Sequence, residues 1–157
     1  MVLSLAPTFI EKNTPSSPLI YIATSHSNPF IDQTVSIIKS SGCIPYDFRN
    51  NKFKWRNVNI ERSQSDLFNF LHQIVDIPAR QAFRNNLDAL SDCQGLILLL
   101  PAGNSSHLEA GYTQSRNIPT CVYAPGSFRA ELMYLLIKEF NVNEDNLQSW
   151  LERIKNA

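Results

Sequence analysis

A short, wholly apolar segment in the middle of the chain constrains the fold most strongly. Residues 96–100 have the sequence Leu-Ile-Leu-Leu-Leu, preceded by Gly95 and followed by Pro101. The segment is far shorter than the roughly 20 residues of a membrane-spanning helix, and its length is that of a strand covered on both faces. Such strands belong to parallel sheets that have helices on either side. The segment therefore predicts an α/β fold.

The rest of the chain alternates between strand-like and helix-like segments. Further strands are predicted at 19–24, 43–48 and 120–123, and helices at 65–75, 80–93, 106–116, 128–140 and 144–155. Asn28 and Pro29 are expected to cap and begin the first helix, and Pro78 to separate the helices at 65–75 and 80–93. This alternation predicts a flavodoxin-like or Rossmann-like parallel sheet of four or five strands with helices on both faces.

The chain has 157 residues, which is the length of one domain. Residues 1–18 include a polar, proline-punctuated stretch and are predicted to be a flexible N-terminal segment, so 19–157 form the single α/β domain. A long polar loop that contains Trp55 is predicted at 49–62, over the carboxyl end of the second strand.

Charge and composition exclude several classes of partner. Fourteen Lys and Arg balance fourteen Asp and Glu, so no basic surface for a nucleic-acid polymer or an anionic membrane is expected. The N-terminus has no basic region before its short apolar patch, and a cytoplasmic location is expected. The spacing of the three cysteines and three histidines matches neither a disulfide framework nor a metal site, so no metal is expected.

Polar residues are densest directly after the apolar strand. Residues 101–107 join the carboxyl end of that strand to a predicted helix N-terminus, where free backbone N–H groups can bind a phosphate or sugar hydroxyls. Glu109 follows on the helix. Two interpretations remain open: Ser106 and Glu109 form a capping box, or Glu109 is a catalytic carboxylate. His26 and His107 flank this predicted cleft without an assigned role.

Three motifs, in order along residues 19 to 123, resemble the nucleoside 2-deoxyribosyltransferase family and its relatives, the nucleotide N-glycoside hydrolases. The most specific is Glu109-Ala110-Gly111, on the helix that follows the apolar strand and its loop. The second is the segment 86–93, whose Asp88 precedes the apolar strand by a short interval. The third is Tyr21 in the first strand.

The resemblance implies cleavage or transfer at the N-glycosidic bond of a nucleoside or nucleoside 5′-monophosphate. Glu109 would attack the anomeric carbon, Asp88 would protonate or hydrogen-bond the leaving base, and Tyr21 would orient Glu109. The resemblance also implies a small-molecule substrate, no cofactor and a homo-oligomer. Considered without it, Asp88 is equally well a solvated helix residue and Tyr21 a core aromatic residue.

The loop departs from the deoxyribosyltransferase pattern. Those enzymes carry an acidic residue six positions before the catalytic Glu, where this chain has Gly103. The small, Ser-containing loop is similar to that of the nucleotide hydrolases, where it receives the 5′-phosphate. Hydrolysis is therefore favoured over transfer, and the residues expected to bind substrate are Gly103, Asn104, Ser105 and Ser106. Arg49 is a further candidate for a phosphate or base contact, with an ordinary surface arginine as the alternative.

Two other functions remain open. An NAD glycohydrolase of the Toll/interleukin-receptor type would share the parallel sheet and a helix-borne Glu. A non-catalytic nucleotide-binding module would share the fold and lack the chemistry. Release of a base from NAD identifies the first, and nucleotide binding without base release identifies the second.

Overall fold

The computed structural model describes residues 17–52 and 77–157. In these ranges the strands are β1 (Leu19–Ala23), β2 (Ile44–Tyr46), β3 (Gly95–Leu99), β4 (Thr120–Tyr123) and β5 (Glu139–Asn141). They form one parallel sheet in the order β2-β1-β3-β4-β5. The α-helices are α1 (Ile31–Ser40), α2 (Ile77–Asp92), α3 (Asn104–Ser115) and α4 (Glu144–Lys155), and short 3-10 helices cover Phe48–Asn51 and Leu132–Leu136. The predicted α/β fold is confirmed, with the flavodoxin-like strand order.

Successive side chains of a strand point to opposite faces of the sheet. Because both sets are apolar in the central strands, helices cover both faces. Ile20 and Ile22 of β1 belong to one core cluster, together with residues of α1 and α4. Tyr21 and Ala23 of the same strand belong to a second cluster, together with residues of α2 and α3. The first face is hereafter the α1/α4 face, and the second the α2/α3 face.

Two prolines lie where the backbone does not need an N–H group for a hydrogen bond. Pro45 lies in β2, which is an edge strand of the described sheet, so its missing N–H costs little pairing. Pro78 does not precede the helix as expected, since α2 begins at Ile77 and includes the proline in its first turn.

The predicted N-cap of α1 is also wrong. Phe30 occupies the N-cap position, and Asn28 Oδ1 accepts a hydrogen bond from the Phe30 N–H at 2.9 Å.

The predicted helix at 128–140 is wrong. Residues 132–136 form a 3-10 helix, and Glu139–Asn141 form β5, which pairs with β4 along its length. Tyr134 and Ile137 are buried, whereas Leu132 and Leu135 are 77% and 80% exposed. Pairing with the edge of the sheet thus overrides the helix propensity of this Leu- and Glu-containing segment.

Several predictions lie outside the described residues. These are the helix at 65–75, the loop beyond residue 52 with Trp55, and all but the end of the N-terminal segment. Within the described ranges, no helix is both long and apolar enough to cross a membrane.

Candidate functional site

The candidate site lies where the strand order reverses. From β1 the chain first adds β2 on one side and then β3 on the other, and α3 leaves the carboxyl end of β3. In open α/β sheets ligands bind at such a switch point, outside the carboxyl ends of the strands. Tyr21 from β1 and Glu109 from α3 meet at this position, on the α2/α3 face.

The contact between these two residues is a hydrogen bond of 2.9 Å, donated by the Tyr21 hydroxyl to Glu109 Oε1. Tyr21 is fully buried, and Glu109 is half-buried. Among the described residues, the bond from Tyr21 engages one oxygen of this carboxylate and leaves the second without a hydrogen-bond partner. The structure thus brings together the two residues for which the family resemblance implied an orienting contact.

Burial changes the acidity of both groups. Desolvation raises the pKa of Glu109 to about 7, although the hydrogen bond from Tyr21 acts in the opposite direction. Burial, and then the nearby Glu109 charge, raise the pKa of Tyr21 well above its usual value. Tyr21 therefore remains a hydrogen-bond donor at every physiological pH, while Glu109 changes its charge near neutrality.

The capping-box interpretation of Glu109 is wrong. Helix α3 begins at Asn104, and its N-cap is Gly103 in an extended conformation, with φ −91° and ψ 178°. Ser106 consequently lies within the first turn, where it is 3% exposed. Glu109 lies more than a turn into the helix and is bonded to Tyr21, so its carboxylate has no capping role.

The junction between the loop and α3 is exposed to solvent. Gly103, Asn104 and Ser105 are exposed, whereas Ser106 is buried on the side of the helix that carries Glu109 three residues later. The free backbone amides of a helix start and a neighbouring serine hydroxyl together form a suitable surface for a polar ligand.

His107 connects this loop to the 3-10 helix at 132–136. Its Nδ1 lies 2.7 Å from the Gly103 carbonyl oxygen, and its Nε2 lies 3.0 Å from the hydroxyl of Tyr134. The two rings are also nearly parallel, with centroids 5.7 Å apart. The sequence gives no signal for Tyr134, because the predicted helix at 128–140 includes it. In the structure His107 has a partner on each side.

Asp88 lies on the exposed surface of α2. Both Asp88 and Glu109 are close enough to Tyr46 for their charges to add to the rise in its pKa, of which burial is the main cause. The charges of both carboxylates therefore act on the same tyrosine. No described contact holds the Asp88 side chain in place.

Arg49 is engaged by two carboxylates. Its guanidinium bonds Asp47 in a bidentate manner, at 2.9 Å from Nε to Oδ1 and 2.6 Å from Nη2 to Oδ2, and contacts Asp32 at 2.7 Å. Burial alone would raise the pKa of Asp47, but the hydrogen bonds from Arg49 outweigh it and lower the pKa. Because its charge is already neutralised, Arg49 is a poor candidate for a phosphate contact.

The described residues contain no group of three or more His, Cys, Asp and Glu side chains placed to hold a metal ion. All three cysteines are buried thiols.

Comparison with solved structures identifies proteins of similar fold. A 2-deoxyribosyltransferase from the psychrotolerant bacterium Bacillus psychrosaccharolyticus aligns with a TM-score of 0.61 and 14% identity, over 83% of this chain and 90% of that one. A conserved protein from Enterococcus faecalis aligns with a TM-score of 0.52 and 12% identity, over 87% and 98% of the two chains. A CMP N-glycosidase from Clostridium botulinum aligns with a TM-score of 0.49 and 13% identity, over 85% and 98%.

No protein-family model matches the sequence, and no curated protein matches it either. The similarity is therefore one of fold, and it extends over most of both chains. The chain shares its fold with a 2-deoxyribosyltransferase, whose family is the one that the motifs around Tyr21, Asp88 and Glu109 resemble.

Proposed function

We propose that this protein cleaves or transfers at the N-glycosidic bond of a nucleoside or nucleoside 5′-monophosphate, with Glu109 as the nucleophile. The observation that carries the proposal is the 2.9 Å hydrogen bond from the buried Tyr21 to the half-buried Glu109, at the switch point of the sheet. The shared fold with a 2-deoxyribosyltransferase supports the same class of reaction.

The reaction has two steps. The ionised Glu109 carboxylate forms a bond to the anomeric carbon, the carbon–nitrogen bond breaks, and its electron pair leaves with the base. Water or a second base then attacks the same carbon and releases the carboxylate. Because burial raises the pKa of Glu109 to about 7, we expect the first step to accelerate as pH rises through that value.

Tyr21 supports the first step by fixing the nucleophile. Its hydroxyl holds Oε1 of Glu109, so that Oε2 carries out the attack with little loss of orientation. We assign the leaving base to Asp88, as its proton donor or hydrogen-bond partner, since the charges of Asp88 and Glu109 both act on Tyr46. An exposed side chain on α2 can move toward a bound base without disturbing the core.

The start of α3 at 103–106 is assigned to the substrate. Backbone amides of a helix start and the neighbouring serine side chains suit a 5′-phosphate, and Gly103 places no negative charge beside it. The lack of an acidic residue at position 103 also favours hydrolysis over transfer, as the resemblance to the nucleotide hydrolases implies.

A substrate panel tests the proposal. The protein is incubated with the common nucleosides, their 5′-monophosphates and NAD, each with and without a second base, and the products are separated by chromatography. We expect base release from a monophosphate in preference to its nucleoside, and none from the Glu109→Gln variant. Monophosphates should also raise the melting temperature more than nucleosides do. A folded protein that releases no base from any of these compounds would contradict the proposal.

We also propose that the protein assembles as a homo-oligomer. The 3-10 helix at 132–136 exposes Leu132, Met133, Leu135 and Leu136 by 57% or more. A cluster of this kind commonly marks a protein interface. Light scattering of the purified protein tests this, with a monomer at micromolar concentration as the contradicting result.

A further inference from the structure

Tyr46 stacks on the tyrosine that holds Glu109. Tyr21 and Tyr46 are register partners in the parallel strands β1 and β2, so their side chains leave the sheet on the same face. Their ring centroids lie 5.0 Å apart at an interplanar angle of 19°. Tyr46 is half-buried, and its ring forms a wall against which the fully buried Tyr21 packs.

The hydroxyl of Tyr46 is held from two directions. It donates to Asn86 Oδ1 on α2 at 3.0 Å and accepts from Asn51 Nδ2 at 3.1 Å. Asn51 Nδ2 also donates to Asn86 Oδ1 at 2.7 Å, and Asn51 Oδ1 accepts from Asn85 at 3.1 Å. These amides satisfy one another and the phenol, so the network fixes the Tyr46 ring rather than offering free groups to a ligand.

We propose that Tyr46 is a positioning residue, whose clamped ring keeps the Tyr21 hydroxyl on Glu109 and so keeps the nucleophile oriented. This inference rests on the proposed function for its catalytic consequence, but the contact that it invokes exists without substrate. Removing the Tyr46 ring takes away the stacked partner that packs against one face of Tyr21. A small rotation of Tyr21 about its Cα–Cβ bond then moves the hydroxyl away from Oε1, and displacements of about 1 Å are enough to slow oriented reactions strongly.

The contact can be observed directly by NMR on the full chain. The sequence has five tyrosines, so labelling tyrosine with ¹³C at Cζ gives few signals. In the wild type the Tyr21 signal should titrate with an apparent pKa near 7, because its hydrogen-bond partner ionises there. Glu109→Gln should abolish that titration and thereby assign the signal.

Tyr46→Leu should remove most of the pH response of Tyr21. Tyr112→Leu is the matched control, because Tyr112 is also half-buried against the α2/α3 face, whereas the ring that stacks on Tyr21 is that of Tyr46. The control should lose comparable stability and keep the Tyr21 response. Should Tyr46→Leu fail to fold, Tyr46→Met fills the space with a flexible chain and repeats the test.

Kinetics provide the second readout. With the substrate that the panel identifies, Tyr46→Leu should lower kcat about 10-fold or more and leave KM within about twofold. In a Tyr21→Phe background the same change should have almost no further effect on kcat, because the contact is already lost.

A Tyr21 signal that titrates normally in Tyr46→Leu would overturn the inference. Absence of turnover in the wild type with the NMR coupling intact would instead contradict the proposed function alone.

Discussion

The two faces of the sheet are lined by alternate residues of the same strands but differ in polarity. On the α1/α4 face, Ile20 and Ile22 pack with fully buried helix residues such as Leu147 and Leu151. On the α2/α3 face, the neighbouring residue Tyr21 points its hydroxyl at a carboxylate. One strand thus contributes apolar packing to one side and a polar group to the candidate site on the other.

This difference indicates how stability and chemistry are divided in the molecule. The α1/α4 face removes apolar surface from water, which stabilises the fold. The α2/α3 face buries a carboxyl group whose charged form loses solvation, which destabilises the fold at neutral pH. Substitutions on the two faces should therefore separate the two properties.

The largest effect is expected for Glu109→Gln on the polar face. The amide keeps the shape of the side chain but cannot act as a nucleophile, so base release should fall by at least about 10³-fold. Steady-state assays on the substrate from the panel measure the change, with circular dichroism as the control for folding. Wild-type turnover in this variant would remove Glu109 from the mechanism.

The sequence predicts the central strands and the helix α4 of the apolar face accurately. Strands β1, β3 and β4 and helix α4 follow from local apolar runs and periodicity, within about two residues at each end. Glu109 and Tyr21 were identified from the resemblance. Tyr46 was not, because its contact with Asn86 joins residues 40 positions apart and depends on a strand register that no local pattern specifies. For the same reason β5 was assigned to a helix.

The second prediction concerns the apolar face. Leu151 is fully buried in the cluster with Ile20 and Trp150, so Leu151→Ala should cost about 2–5 kcal/mol of unfolding free energy. Denaturant unfolding measures the loss. Base release per folded molecule should stay at the wild-type level, and a proportionate loss of kcat in fully folded protein would show that the two faces are not separable.

The third prediction concerns the pH dependence of stability. Here a substitution on the polar face should raise the free energy of unfolding, whereas Leu151→Ala on the apolar face lowers it. Folding raises the pKa of Glu109 from 4.5 to about 7, so the native state binds the proton more tightly, and stability falls as pH rises through this interval. Glu109→Gln should remove that slope. It should be more stable than the wild type by roughly 1–3 kcal/mol at pH 8 and about equal at pH 4. Thermal unfolding across pH 4–8 measures both, and identical curves would contradict the burial of this charge.

The smallest effect is expected for the loop, where Gly103→Asp tests the phosphate assignment. A side chain fits here, since φ is negative and a Cβ would meet only Ser25 Oγ, at 3.5 Å. The added charge should lower kcat/KM for monophosphates about 10-fold relative to nucleosides through repulsion. Gly103→Asn has the same shape without the charge and should not discriminate. Equal effects of the two variants on both substrates would place the phosphate elsewhere.

The most direct measurement of the central claim is to trap the sugar on the enzyme. A reaction with the preferred substrate is quenched in acid on the millisecond scale, digested and analysed by peptide mass spectrometry. Nucleophilic attack predicts that the peptide containing Glu109 gains the mass of the glycosyl group with time and that Glu109→Gln shows no such gain. A glycosyl group on a different residue, or base release by Glu109→Gln at the wild-type rate, would contradict the assignment of Glu109 as the nucleophile.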